Sequence, residues 1–174
     1  MVKSIFFVLG SLGFVLKERK ALTNPRVHGF YRFFSFEAIF ALILLNIDVW
    51  FDEPLAILQI ISWVLLAASV VMVVWGVYLL KKAGMPEGEI ENTTQLVTIG
   101  IYKYIRHPLY SSLLLLAWGV FLKHVSLPSG VLVSAATIFL LATAKVEEKE
   151  NLEKFGVEYE SYMKTTSMFI PFLF

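Results

Sequence analysis

Residues 55–80 form an apolar run without a single charged side chain, and this run constrains the fold most. At about 1.5 Å per residue, a helix of this length crosses the hydrocarbon core of a bilayer, which is about 30 Å thick. The whole chain has a matching composition, since 57% of its 174 residues are hydrophobic and 17% are charged. Soluble domains carry about 25% charged residues. The sequence therefore predicts an all-α integral membrane protein.

Four further apolar segments predict additional membrane helices, which gives about five spans in total: 4–16, 33–51, 55–80, 109–122 and 125–144. Short connections predict two tight helical hairpins, one from the second and third spans and one from the last two. The first span is the weakest prediction, because it is short and contains two glycines. The run at 109–122 is also short, so we expect its helix to begin near Pro108 or to be tilted.

The basic residues predict the orientation of these spans. If the chain crosses five times, all of its 15 Lys and Arg residues except Lys3 and Lys123 fall on one side. By the positive-inside rule this side is the cytoplasm. We expect one membrane domain, residues 1–174, in a bacterial or archaeal inner membrane. Its active site would face the cytoplasm, between the loop 81–108 and the tail 145–174.

The stretch GIYKYIRHPLYSS, residues 100–112, places polar groups at the start of an apolar run. Proline suits the first turn of a helix, which predicts that His107 caps the helix, with Arg106 just before it and Tyr110 on its first turn. A helix N-terminus attracts anions, so this junction could hold the carboxylate of a small ligand. The alternative from composition is that these residues only anchor the helix at the membrane interface.

The second polar cluster is KVEEKENLEKFGVEYESYM, residues 145–163, which predicts a helix that continues out of the last span. Glu147 and Glu148 lie within one turn of the bilayer boundary and need a partner, for which Arg106 or a cationic ligand could serve. The later acids are expected to be solvated and paired with neighbouring lysines. These later acids are Glu150, Glu153, Glu158 and Glu160.

Three segments together resemble a known family: TTQLVTIGIYKYIRHPLYSS (93–112), EEKENLEKFGVEYESYM (147–163) and IPF (170–172). They are similar to the isoprenylcysteine carboxyl methyltransferases, which are related to membrane phospholipid N-methyltransferases. The resemblance covers about residues 93–172. It implies a multi-span helical enzyme that binds S-adenosylmethionine in a cytosol-facing pocket, formed by the loop and the C-terminal helix without a Rossmann domain. The implied reaction is methyl transfer to a hydrophobic or lipid-like acceptor that enters from the bilayer.

The same resemblance implies the roles of individual residues. Arg106, His107 and Glu147 are the predicted catalytic residues, with His107 and the helix start meeting the cofactor carboxylate and Glu147 meeting its ammonium. The implied cofactor contacts are Gln95, Leu96, Val97, Gly100, Tyr102, His107, Pro108, Leu109, Tyr110, Glu147 and Glu148.

Two further residues are candidates for substrate contacts, Glu37 and Thr143. Glu37 lies near the cytosolic end of its span, where it could pair with Arg32 or line a substrate pocket. Thr143 stands where carboxyl methyltransferases of this family carry an arginine that orients the acceptor carboxylate. The acceptor atom therefore stays open among oxygen, nitrogen and sulfur.

The sequence leaves other functions open. The alternatives are a phospholipid amine or thiol methyltransferase, an NADPH-dependent membrane reductase of the sterol-reductase type, and a non-catalytic scaffold. Sterol reductases share a similar late motif, but their sites carry more arginines than the single Arg106. The chain lacks cysteine and its three histidines lack metal-ligand spacing, so we expect no metal. We also expect no nucleic-acid partner.

Overall fold

The computed structural model describes residues 2–88, 90 and 92–171. Within these residues the chain forms six α-helices and no strand. The helices are α1 (Val2–Glu18), α2 (His28–Asn46), α3 (Ile57–Ala83), α4 (Pro108–Phe121), α5 (Leu127–Phe155) and α6 (Val157–Thr165). The all-α prediction is confirmed for this part of the chain.

Three of the helices are long and apolar enough to cross a membrane: α2 with its following turn, α3 and α5. Helix α4 is apolar but has only 14 residues, and it begins at Pro108 as the sequence predicted. Helix α1 has 17 residues, most of whose large apolar side chains are exposed. The membrane character is therefore confirmed, whereas the number of five crossings stays a prediction.

The helices pack in pairs that are not all neighbours along the chain. Helix α5 packs along α2 and α4, and α3 packs along α4. The predicted tight pairing of the second and third spans is wrong, because α2 and α3 share almost no packing contacts. After α2, a turn and residues 50–56 lead into α3, which packs against α4 instead of α2.

Small side chains on α3 explain why it prefers α4 as its partner. Ser62, Ser69 and Gly76 recur every seven residues, and all three are buried. This spacing of two helical turns places them on one face, where small residues let two membrane helices approach closely. The Ser62 hydroxyl donates a hydrogen bond of 2.7 Å to the carbonyl of Gly119 on α4.

The two ends of the helix bundle differ in their connections. We call the end formed by residues 47–56 and 122–126 the short-loop end, and the end formed by residues 84–88, 92–107 and 156–171 the long-loop end. At the short-loop end, the buried Asn46 amide donates to the carbonyl of Val120 and accepts from the hydroxyl of Ser129. Buried polar groups in a membrane protein need hydrogen-bond partners. Here the partners of Asn46 lie on two other helices, so these bonds join α2, α4 and α5.

The chain reverses at Gly156, although the sequence predicted one helix through 145–163. Gly156 has φ 57° and ψ −129°, a conformation open to glycine and strained for other residues. Helix α6 therefore folds back over the long-loop end. Beyond it, the chain runs beside the start of α4, where the backbone N–H of Arg106 donates to Ser167 and that of His107 to Met168.

Candidate active site

A cleft that opens at the molecular surface and has a cavity volume of about 60 Å³ lies at the long-loop end. Its walls come from the end of α3, the loop at 93–97, the turn at 100–103, the start of α4, the end of α5 and α6. The lining residues are Leu80, Thr93, Leu96, Val97, Tyr102, Arg106, His107, Pro108, Leu109, Tyr110, Glu147, Asn151, Phe155, Tyr159 and Tyr162. The cleft is thus a largely apolar and aromatic space with a few charged groups on one wall.

His107 occupies the N-cap position of α4 and lies between two carboxylates of α5. Its Nδ1 is 3.9 Å from Oε2 of Glu147, and its Nε2 is 3.4 Å from Oε1 of Glu148. The imidazole is only 3% exposed, and within the described residues its Nε2 makes no hydrogen bond of good geometry. Each ring nitrogen therefore faces a carboxylate of α5, and the ring forms part of the cleft wall.

The Glu147 side chain is also bound by Tyr110, a residue in the first turn of α4. The Tyr110 hydroxyl donates a hydrogen bond of 2.5 Å to Oε2 of Glu147, and the Tyr110 ring stacks on His107 with centroids 5.5 Å apart. The Glu147 side chain is 16% exposed and lines the cleft. One carboxylate oxygen is therefore fixed by Tyr110 while the group as a whole faces the ligand space.

Arg106 binds partners in three parts of the chain. Its Nε donates to Oε1 of Glu148 at 2.6 Å, and its Nη1 donates to the carbonyls of Met163, at 3.3 Å, and Thr166. Arg106 and Glu148 are each about nine-tenths buried. The guanidinium therefore ties α5 to the segment after α6, and the predicted partnership of Arg106 with a boundary acid is observed.

Two tyrosines of α6 form part of the cleft wall. The Tyr162 hydroxyl donates a hydrogen bond of 2.5 Å to the carbonyl of Tyr102. Burial raises the pKa of Tyr159 and of Tyr162 above the ordinary value, so both phenols remain neutral at physiological pH. They therefore present aromatic faces and O–H donors rather than negative charge.

Most of the residues proposed from the sequence meet at this cleft. The predicted residues that line it are Leu96, Val97, Tyr102, Arg106, His107, Pro108, Leu109, Tyr110 and Glu147. Gln95 and Gly100 are exposed and do not line it, and Glu148 lies behind His107 and Arg106. Phe172, the last residue of the IPF motif, lies outside the described residues.

The two candidate substrate residues lie elsewhere. Glu37 accepts a hydrogen bond of 2.6 Å from Ser11 of α1, whereas Arg32 binds Glu18 at 2.8 Å. Thr143 is 0% exposed and donates its hydroxyl to the carbonyl of Phe139, one turn earlier on α5. Neither Glu37 nor Thr143 lines the cleft.

Sequence reasoning missed several cleft residues and misplaced one acid. Asn151 and Phe155 follow Glu147 at intervals of four, a helical spacing that puts all three on one face of α5. This signal was present in the sequence. Glu150 was expected in solvent, but its carboxylate is partly buried and contacts Nδ1 of His28 at 2.5 Å. The pairing depends on how α2 packs against α5, which local spacing does not reveal.

An apolar groove of about 590 Å³ lies on the neighbouring face of α4. It is lined by Leu65, Met72, Ser111, Leu114, Leu115, Trp118, Thr137, Phe169, Ile170 and Pro171. The Ser111 hydroxyl lies within hydrogen-bond distance of the carbonyls of His107 and Phe169, at 3.0 and 2.9 Å, and can donate its one proton to either. The groove therefore begins within one turn of His107 and continues along membrane-spanning helices.

Comparison with known proteins identifies the family of this chain. The family model described as phospholipid methyltransferase matches residues 57–157, which is more than half of the sequence. The chain belongs to this family. The matched residues include α3, α4, α5 and the Arg106-His107-Pro108 motif, so they hold most of the cleft.

Individual relatives are similar over a shorter part. A methanethiol S-methyltransferase of Crocosphaera subtropica is 36% identical over 76 residues, which cover 44% of this chain and 29% of the relative. One from Pseudomonas deceptionensis is 33% identical over 73 residues, which cover 42% of this chain and 27% of the relative. The match thus spans less than a third of either relative's length. No solved structure matches the chain.

Proposed function

We propose that the cleft binds S-adenosylmethionine and that the protein transfers the methyl group to a hydrophobic acceptor. The observation that carries this proposal is the meeting of His107, Tyr110 and Glu147 at one wall of the cleft. Because the chain belongs to a methyltransferase family, methyl transfer is the expected reaction. The polar residues of this wall suit a methyl donor that carries both an ammonium group and a carboxylate.

The residues of the cleft fit such a donor by their chemistry. Glu147 would hold its ammonium group, because the carboxylate has a surface facing the cleft. His107 and the positive end of the α4 helix dipole would hold its carboxylate. Leu96, Val97 and Phe155 offer an apolar surface for the adenine ring. When bound, S-adenosylmethionine supplies a methyl group on an electrophilic sulfonium.

The protein's part in the reaction is to position the reactants and exclude water. An acceptor lone pair forms the new bond to the methyl carbon while the carbon–sulfonium bond breaks, and an acceptor proton, if present, leaves to solvent. Methyl transfer of this kind depends mainly on alignment and on a dry site. We propose that the acceptor reaches the methyl group along the apolar groove, which leads from the bilayer toward His107.

Two observations favour an acceptor that needs no cationic partner. Arg106 is occupied by Glu148 and two carbonyls, and Thr143 is turned into its own helix. The relatives are named as methanethiol S-methyltransferases. We therefore propose a thiol as the first acceptor to test, which would yield a thioether. Methylation of a lipid-like carboxylate, such as isoprenylcysteine, or of a phospholipid amine would be the alternative outcomes.

Isothermal titration of the purified protein with S-adenosylhomocysteine tests the donor site. We expect binding by the natural protein and a loss of at least about tenfold in His107→Ala and in Glu147→Gln, since each substitution removes a charged or hydrogen-bonding contact. Glu153→Gln is the matched control, because Glu153 is an exposed acid on the same helix. Equal affinities in all four proteins would refute the site.

A labelled methyl donor tests the acceptor. Membranes that contain the protein would be incubated with alkanethiols, an isoprenylcysteine and phosphatidylethanolamine, and the labelled product would be identified. Labelling of none of these acceptors, together with thermal stabilisation by NADPH, would favour the reductase alternative. Accessibility of a cysteine introduced at Glu153 to impermeant reagents in intact cells tests whether the cleft faces the cytoplasm.

A further inference from the structure

The start of α2 is capped by a side chain from another helix. Oε1 of Glu150, on α5, accepts a hydrogen bond of 3.0 Å from the backbone N–H of His28. Oε2 of Glu150 contacts Nδ1 of the same residue at 2.5 Å. The N-cap residue Val27 supplies no side-chain bond of its own. A carboxylate is favoured at a helix N-terminus, so Glu150 both caps α2 and fixes α5 beside it.

The acid that caps α2 is one helical turn from an acid of the cleft. Glu147 and Glu150 are three residues apart on α5, so their side chains lie on one face with an axial separation of about 4.5 Å. Glu147 binds Tyr110 at the start of α4, and Glu150 binds His28 at the start of α2. A rotation or slide of α5 at this turn would therefore disturb both contacts together.

The contact of His28 with Glu150 lies at one end of the long packing interface between α2 and α5. A polar cavity of about 380 Å³ borders this end, and it is lined by His28, Glu87, Asn92, Glu147, Glu150, Asn151 and Lys154. Glu147 and Asn151 line both this cavity and the cleft. Because this end of the interface borders a cavity, the directional contact of His28 with Glu150 contributes to the position of the α5 turn, together with the bond of Arg106 to Glu148.

We infer that His28 and Glu150 are positioning residues, which hold α5 in the register that places Glu147 against Tyr110 and the donor site. The inference rests on the proposed function of the cleft. His28 lies outside the residues matched by the family model, so a part of the chain before that match contributes to the donor site. Neither residue contacts the reacting groups; both act through Glu147.

The first experiment compares affinities for S-adenosylhomocysteine by isothermal titration. We expect Glu150→Ala and His28→Ala to weaken binding about tenfold, a loss typical of residues that orient a binding group. Glu150→Gln keeps an acceptor oxygen for the backbone N–H of His28 and should restore most of the affinity. The matched control is Asn46→Ala, which breaks the bonds of α2 with α4 and α5 at the short-loop end. It should leave the affinity within about twofold.

A double-substitution cycle separates positioning from a general loss of stability. If Glu150 acts through Glu147, then Glu150→Ala should have little further effect on affinity in a Glu147→Gln background. The same fold-loss in both backgrounds would overturn the inference. So would a loss of affinity in Asn46→Ala equal to that in Glu150→Ala, because the effect would then come from helix packing in general.

A second readout needs no bound ligand. The chain has three histidines, so their imidazole nitrogens can be resolved by NMR of the labelled protein in detergent. Glu150→Ala and His28→Gln should shift the His107 signals, whose ring lies between Glu147 and Glu148, and Asn46→Ala should not. Unchanged His107 signals would overturn the inference. If the natural protein fails to bind S-adenosylhomocysteine, the proposed function fails, and the His107 signals still decide the positioning role.

Discussion

Replacing Arg106 with methionine should destabilise the protein through the carboxylate that it leaves behind. Arg106 and Glu148 form a buried pair at 2.6 Å, and the same guanidinium holds the carbonyls of Met163 and Thr166. Removing one partner of a buried ion pair costs about 3–5 kcal/mol, because the other charge stays buried without compensation. His107 would remain near Glu148 and offset part of this cost. We therefore expect a loss of about 3 kcal/mol for Arg106→Met.

Thermal unfolding in detergent, followed by the fluorescence of the four tryptophans, measures this loss. For a chain of this length, about 3 kcal/mol corresponds to a decrease in Tm of about 6–12 °C. The double variant Arg106→Met with Glu148→Met should recover at least about half of the decrease, since the unpaired charge is gone. A single variant as stable as the natural protein, or a double variant no better than the single one, would refute the reasoning.

Three further changes test other parts of the structure. Tyr110→Phe removes the donor to Glu147 and should weaken S-adenosylhomocysteine binding about tenfold by titration, with little change in Tm. Ser62→Leu should lower Tm by several degrees because it blocks the contact of α3 with α4, whereas Val64→Leu, on an exposed position of α3, should not. Burial lowers the pKa of Lys123 from its ordinary 10.5, so the unfolded chain binds more protons and stability rises as the pH approaches that value. Lys123→Met should flatten this rise in Tm below pH 10.5, and an unchanged slope would contradict the assignment.

The local features of the site could be predicted from the sequence. Proline before an apolar run favours a helix start, and α4 does begin at Pro108 with His107 as its cap. An acid near the bilayer boundary requires a partner, and Glu148 has Arg106. These predictions succeeded because each depends on a short stretch of backbone or on the cost of an unpaired charge.

Features that depend on helix pairing could not be predicted in the same way. A short connection suggested that α2 and α3 pack together, but the small residues on α3 bring it to α4. Whether Glu150 is solvated or paired depends on the position of His28, which is 122 residues away in the chain. The break at Gly156 depends on one backbone conformation within a sequence that otherwise suits a continuous helix.

The strand-like pairing of residues 104–107 with residues 166–168 has a consequence for biosynthesis. The cap of α4 is completed by backbone groups that the ribosome makes some 60 residues later, after α5 and α6. Helices α1 to α5 can therefore be synthesised while His107 and Arg106 still lack these final partners. A nascent chain stalled before Thr166 would contain these five helices and yet lack the segment that completes the cleft. Weak retention of such ribosome-bound chains on immobilised S-adenosylhomocysteine, compared with the full chain, would show that the proposed donor site forms only after this segment is made.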